Sequence, residues 1–297
     1  MIRKILLYLN TIRHLKAEQM IGQIRQRIKS VLPAGKILQD PGAMYSPQAL
    51  DLFTVQRNCV VDPDRNEFMF LNQTTAFPDG IDWNYRDKGK LWNYHLQYAY
   101  FLHDDKADYR KKKSWLTELS NKIETGSLPL EPFPVSIRLV QILGFLNAHP
   151  EKDEIILRMV RMQSHWLRSH LEKHIDANHL LINRISLALC SLCCDWKDQR
   201  QFQLDLLEEL DRQILPDGAH YERSPMYQLE ILGLLLSLYS AHLIRESDYR
   251  ESLKKYISLM ASWLKAMSHE DSILPLFQDS TGDLSAFWIK LSKALSE

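Results

Sequence analysis

Glycine and proline are scarce, 10 and 12 in 297 residues, so the chain has little turn material and its composition favours long helices. Charge of one sign is not in excess: 37 Lys and Arg stand against 37 Asp and Glu, and no global field draws the protein to nucleic acid. Long apolar runs are missing too. The longest block, "ILGLLLSLY", is bounded by Glu230 and His242, well short of a membrane span. Cysteine is limited to Cys59, Cys190, Cys193 and Cys194, and no His or Cys pair stands at ligand spacing from them, so they read as small buried hydrophobes in a reducing compartment and no metal is expected. The phosphate-binding, dinucleotide, zinc-protease and nucleophile-elbow signatures are all absent, which argues against those chemistries and implies no cofactor.

What is present divides at about residue 90. Residues 1–36 carry eight Lys or Arg and one acidic residue, Glu18. The apolar run Ile5 to Leu9 is too short for a secretory leader and no cleavage site follows it, so the expected location is the cytoplasm or the periphery of the inner membrane, with the periplasm as the alternative. This basic, partly amphipathic start suits peripheral contact with an anionic membrane, although packing on the protein's own body is the preferred reading. Residues 32–90 are rich in Pro, Asp, Asn and Gly and read as loops with short strands at "NCVV" and "EFMFL". From residue 91 to 297 helical periods follow one another at roughly 91–104, 107–124, 134–148, 151–170, 177–194, 199–214, 222–244, 248–268 and 284–296. Short connections make neighbours antiparallel, and no fixed-period repeat favours a solenoid.

Three polar clusters interrupt this pattern. In "DWNYRDKGKLWNYHLQYAYFL" aromatics alternate with cations. The later ones read equally as a helix core, whereas Trp83 and Tyr85 precede the helix and are freer to face a ligand. In "HIDANHLLINRISLAL", Asn178 and His179 stand at a helix start, where unsatisfied N–H groups receive a carboxylate; spacing alone favours a plain cap. In "DGAHYERSPMYQ", Asp217 to Gln228, His220, Glu222, Arg223 and Tyr227 crowd a helix start. A tyrosine transfers a proton when a cation lowers its pKa, as Arg223 or a histidine would, yet core tyrosines are the commoner case.

Four stretches, "EPFPVSIRLVQIL" (131–143), "ANHLLINRISLAL" (177–189), "ILPDGAHYERSPMYQLEIL" (214–232) and "LPLFQDSTGD" (274–283), occur in an order that resembles the N-terminal half of the heparinase II/III-like polysaccharide lyases. The opening "NTIRHLKAEQMIGQIRQRI" is similar to members from bacterial surface-polysaccharide gene clusters. The resemblance implies an all-α fold, an (α/α) toroid of helical hairpins over residues 91–297 behind a loop-rich lead-in over residues 1–90. It also implies β-elimination on a uronate-containing acidic polysaccharide or oligosaccharide. Because the C5 proton is weakly acidic, the neighbouring carboxylate must be neutralised before a base removes it. By position in the family's stretches, Asn178 and His179 match the carboxylate-holding pair and Asn183 a polar position beside them. Tyr227 matches the proton-transfer residue, and Arg138, His220, Glu222 and Arg223 lie in matching stretches as groove residues.

Two departures qualify that picture. Gln228 stands where many relatives have histidine, and the family's β-sandwich is expected to be missing, since the sequence ends at Glu297. A toroid without it leaves a second reading: a non-catalytic carbohydrate-binding or assembly protein for a surface polysaccharide. A third is a helical scaffold whose polar clusters are caps and core hydrogen bonds.

Overall fold

The structure is a computed structural model that describes residues 51–54, 58–149, 153–175, 177–194, 196–241, 244, 246–271, 273–281 and 284–295. The basic N-terminal segment and its expected membrane contact lie outside the described residues. Where the sequence suggests two short strands there are three among the described residues: β1 (Val60–Asp62), β2 (Glu67–Phe70) and β3 (Gln73–Ala76), an antiparallel meander in the order β1-β2-β3. Phe68 and Phe70 point inward from β2, while Met69 between them is exposed, the alternation of a half-buried sheet.

Among the described residues nine α-helices follow: α1 (Lys90–Gln97), α2 (Tyr109–Glu124), α3 (Pro132–Ala148), α4 (Glu154–Arg168), α5 (Ala177–Cys193), α6 (Gln199–Gln213), α7 (Pro225–Ser240), α8 (Ser247–Met267) and α9 (Ser285–Ala294). They stack as the expected toroid of hairpins. The odd-numbered helices α1, α3, α5 and α7 form the inner row, each touching the next, and α4, α6 and α8 pack outside α3, α5 and α7. Composition sets this division. Helices α3, α5 and α7 are apolar on nearly every face and buried accordingly, whereas α8 buries only Tyr249, Leu253, Tyr256, Ile257, Met260 and Leu264, one stripe at helical spacing. Side chains mark several starts: Asp108 accepts from Lys111 N, Asp153 from Ile155 N and Ile156 N, and Ser224 from Tyr227 N ahead of Pro225 at the first helical position.

The segment expected as one helix over 91–104 is two. Ala99 adopts a left-handed φ of 63°, and the chain resumes as a 3₁₀ turn over Tyr100–His103. The aromatics around this break form a core shared with the sheet: Phe68 packs on Trp115 and Phe101, and Phe70 on Trp92. Three indoles of this core find acceptors, Trp92 at Gln73 O, Trp115 at Asn66 Oδ1 and Trp83 at Glu118 Oε1. The cysteines are buried, and burial pushes the thiols of Cys190, Cys193 and Cys194 up, as expected of packing groups. No helix among the described residues is long and apolar enough to cross a membrane.

Residues 51–54 run as a strap over the C-terminal halves of α3 and α7. Phe53 N and Asp51 N donate to Ser237 Oγ and Ser240 Oγ on α7, and Thr54 Oγ1 reaches Gln141 Oε1 on α3. Two glycines make room for it. A Cβ at Gly144 would meet the Leu52 side chain at 2.4 Å, and one at Gly233 would meet Phe53 O at 2.4 Å and the Phe287 ring at 2.8 Å. A leucine tip can turn aside, but a backbone carbonyl wedged against a ring cannot. Gly233→Ala is therefore expected to lower unfolding stability by about 1–3 kcal/mol despite alanine's better helix propensity, and Gly144→Ala by less, as read by urea titration.

His103 gives a pH prediction. Its Nε2 lies 3.1 Å from Gln141 O, and burial lowers its pKa from 6.5 to about 4. The unfolded chain thus takes up this proton before the folded one. The stabilisation is complete above about pH 6.5 and is lost as pH falls through 4, up to about 3 kcal/mol. Denaturant titrations across that window should show a flatter profile for His103→Gln than for the wild type.

Candidate functional site

Because hairpins alternate inner and outer helices, the inner helices all point the same way, and their N-termini meet at one end of the ring. Lys90 at the start of α1 reaches Glu131 before α3 at 2.7 Å, and Phe133 in the first turn of α3 stacks on His179 of α5 with ring centroids 4.0 Å apart. Asn178 N at the start of α5 donates to Glu222 Oε2, 3.1 Å away, just ahead of α7. Four helix N-termini, with their positive dipole ends, therefore lie along one rim, hereafter the candidate groove.

Asn178 and His179 carry its centre. Ala177 before them has a φ of 55°, and the Asn178 side chain does not cap the helix: among the described residues its amide makes no hydrogen bond, although the residue is only 6% exposed. The little surface the residue keeps therefore includes its amide, which is open to a partner from solvent. The His179 ring lies on Phe133 with Nδ1 3.3 Å from Glu172 Oε2, close enough for charge attraction but outside hydrogen-bonding alignment. Burial lowers the pKa of His174 nearby.

Tyr227 stands in the first turn of α7, on the far side of Glu222. The sequence suggests a cation beside it, but the structure places a carboxylate there. The phenol donates to Asp279 Oδ2 at 2.9 Å; burial first, then this bond and the charges of Asp279, Glu222 and Glu230, push its pKa well above the usual tyrosine range. Arg223, held at a φ of 53°, is exposed, and its guanidinium pairs with no carboxylate among the described residues.

Several expected groove residues lie in the interior or, in the case of the half-buried Tyr85, against it. Trp83 is 2% exposed and bonded to Glu118, because its indole completes the aromatic core; Tyr85 packs edge-on against Phe77 and Trp92. Arg138 is fully buried, donating from Nε to Gln163 Oε1 and from Nη1 to Gln97 O, and burial lowers its pKa to about 9. Asn183 is fully buried as well. It accepts from Glu172 N and donates to Ser136 Oγ, fixing the carboxylate that faces His179.

His220 is buried in the turn before α7. Its Nε2 donates to Gln213 Oε1 at 2.7 Å, which leaves Nδ1 to accept from Glu222 N. Glu222 thus sits between the buried His220 and the start of α5.

Two participants escaped the sequence reading. Asp279 lies 52 residues from Tyr227, in a stretch singled out only as similar to the family. Tyr94, a second phenol held by a carboxylate, donates to Glu131, which also binds Lys90; burial and Glu131 raise its pKa. Neither shallow depression along the outer helix α2, one edged by Arg110 and Thr117, the other by Asp82 and Lys122, includes the groove residues. Among the described residues no group of His, Cys, Asp and Glu is arranged to hold a metal.

The family model described as heparinase II/III N-terminus matches residues 64–296. None of the curated proteins matches the chain. Among solved structures, a mutant of the heparan sulfate lyase HepC from Pedobacter heparinus superposes with a TM-score of 0.52 at 18% identity, covering 77% of this chain and 42% of that one. Heparinase III superposes with a TM-score of 0.53 at 16% identity, covering 99% of this chain and 51% of that one. The chain spans about half the length of these two structures, and at such identities the likeness shows the fold.

Glu222 joins the two halves of the groove, and that role is testable. Glu222→Gln keeps an acceptor for the Asn178 N–H and should leave stability near wild type, whereas Glu222→Ala should cost about 1 kcal/mol in denaturant titration.

Proposed function

The chain belongs to the heparinase II/III N-terminal family, and from that premise we propose that its groove binds a uronate-containing acidic polysaccharide and cleaves it by β-elimination. The observation that carries this reading is the unpaired Asn178 amide, which keeps a small opening to solvent beside His179 where the inner helices begin and is joined through Glu222 to the turn that presents Tyr227. A uronate carboxylate placed there takes hydrogen bonds from the Asn178 amide and feels the positive ends of the helices. With that charge neutralised the C5 proton becomes more acidic and Tyr227 takes it, passing its own phenolic proton on. The electron pair of the C5–H bond forms the C4–C5 double bond, and the C4–O bond breaks towards the leaving sugar. Arg223, exposed and unpaired, suits a neighbouring acidic group of the polymer.

Tyr227→Phe is expected to reduce formation of the ultraviolet-absorbing unsaturated end by about 100-fold or more while oligosaccharide binding largely survives. Unchanged product formation would sink the assignment.

A specific observation favours a second reading, a non-catalytic carbohydrate-binding or assembly protein for a bacterial surface polysaccharide. The phenolic proton of Tyr227 is held on a carboxylate, and Glu131, Glu172 and Glu222 bring further negative charge to the groove. A glycan-binding screen run beside the double-bond assay separates the two, since binding without product supports the second.

A further inference from the structure

Tyr227 as placed has no vacancy for a proton. Its hydroxyl hydrogen is directed at Asp279 Oδ2, 2.9 Å away, so the oxygen can take up the C5 proton only by giving its own away. The acceptor for that second transfer is built into the fold. Ser280 Oγ accepts from Met226 N at 3.1 Å and lies 3.3 Å from the N-cap Ser224 Oγ, so the loop bearing Asp279 is pinned to the same helical turn that carries Tyr227. Gln278, the preceding residue, is held at a φ of 53°, a left-handed conformation that costs about 1 kcal/mol in a non-glycine residue and is kept where surrounding contacts impose it. The other carboxylates near the phenol are Glu222, occupied by Asn178 N, and Glu230; neither is hydrogen-bonded to the hydroxyl.

We infer that Asp279 is the terminal proton acceptor of the groove and that Tyr227 relays the proton to it. The inference rests on the lyase reading above and deepens it. As the C5–H bond breaks, its proton passes to Tyr227 Oη while the phenolic proton passes to Asp279 Oδ2. The C5–H electron pair becomes the C4–C5 double bond, and the C4–O pair leaves with the glycosidic oxygen. That oxygen takes a proton from water, and the exposed Asp279 carboxyl returns its own to solvent, so the pair ends as it began. Tyr227 stays neutral throughout, which removes the cost of a phenolate beside a carboxylate.

Asp279→Asn tests this directly, because the amide oxygen still accepts from the phenol but cannot take the proton. The full chain is assayed on a panel of uronate polymers by ultraviolet absorbance of the new double bond. The expected result is a fall in kcat of about 100-fold or more with KM and thermal midpoint held, and partial recovery in Asp279→Glu. A second readout needs no turnover: spectrophotometric titration of the Tyr227 phenol, identified by its loss in Tyr227→Phe, should move down towards the ordinary value of about 10 in Asp279→Asn. Wild-type kcat in Asp279→Asn overturns the relay and leaves the lyase reading standing. An unmoved phenol titration overturns the pairing. Absence of product from the wild type on every polymer overturns the lyase reading and the relay with it.

Discussion

The structure turns on one constraint: successive inner helices of a hairpin ring run in the same direction. Their apolar faces allow no other packing, because α3, α5 and α7 are buried almost all round and must be shielded by the amphipathic helices between them. The consequence is electrostatic. The amino ends of four helices arrive at one rim, and no global charge excess is needed to make an anion-receptive surface in a chain whose formal charge is zero.

Such a rim would be unstable if left bare, and the chain supplies its own carboxylates. Glu131 takes Lys90 and Tyr94, Glu222 takes Asn178 N, Glu172 faces His179 and Asp279 takes Tyr227. They hold the two parts of the groove in register. On the function proposed above they would also discriminate, since an acidic ligand would meet local repulsion unless its carboxylate landed on the Asn178 amide and its other charges near Arg223.

Much of the helical body was legible in the sequence, for reasons tied to particular residues. Asp108, Asp153 and Ser224 with Pro225 announce helix starts, and the stripe in α8 has an unmistakable period. The failures also have causes. Ala99 turns left-handed with no glycine to signal it, and β3 is polar, "QTTA", so its pairing with β2 leaves no apolar alternation. Trp83 reads as a free aromatic because its acceptor, Glu118, is 35 residues away, and Asp279 is silent because its bond to Tyr227 spans 52. Local patterns predict elements, whereas a side chain's partner depends on how the elements pack.

Gln228 shows the same dependence at the site itself. By its neighbours in sequence it looks like a lost partner for Tyr227, glutamine in place of histidine. In the fold it faces the other way, accepting from His220 N and donating to Gly218 O and Met260 O. One acceptor and two donor bonds exceed what a neutral imidazole offers, with a single donor and a single acceptor. The turn it clamps lies so tightly on α8 that a Cβ at Gly218 would meet Leu259 O at 2.2 Å. Holding that turn sets where His220 and Glu222 sit, and through Glu222 where α5 begins relative to α7. The glutamine therefore leaves the phenol's chemistry to a residue from another part of the chain, and Asp279 is the group positioned to take it.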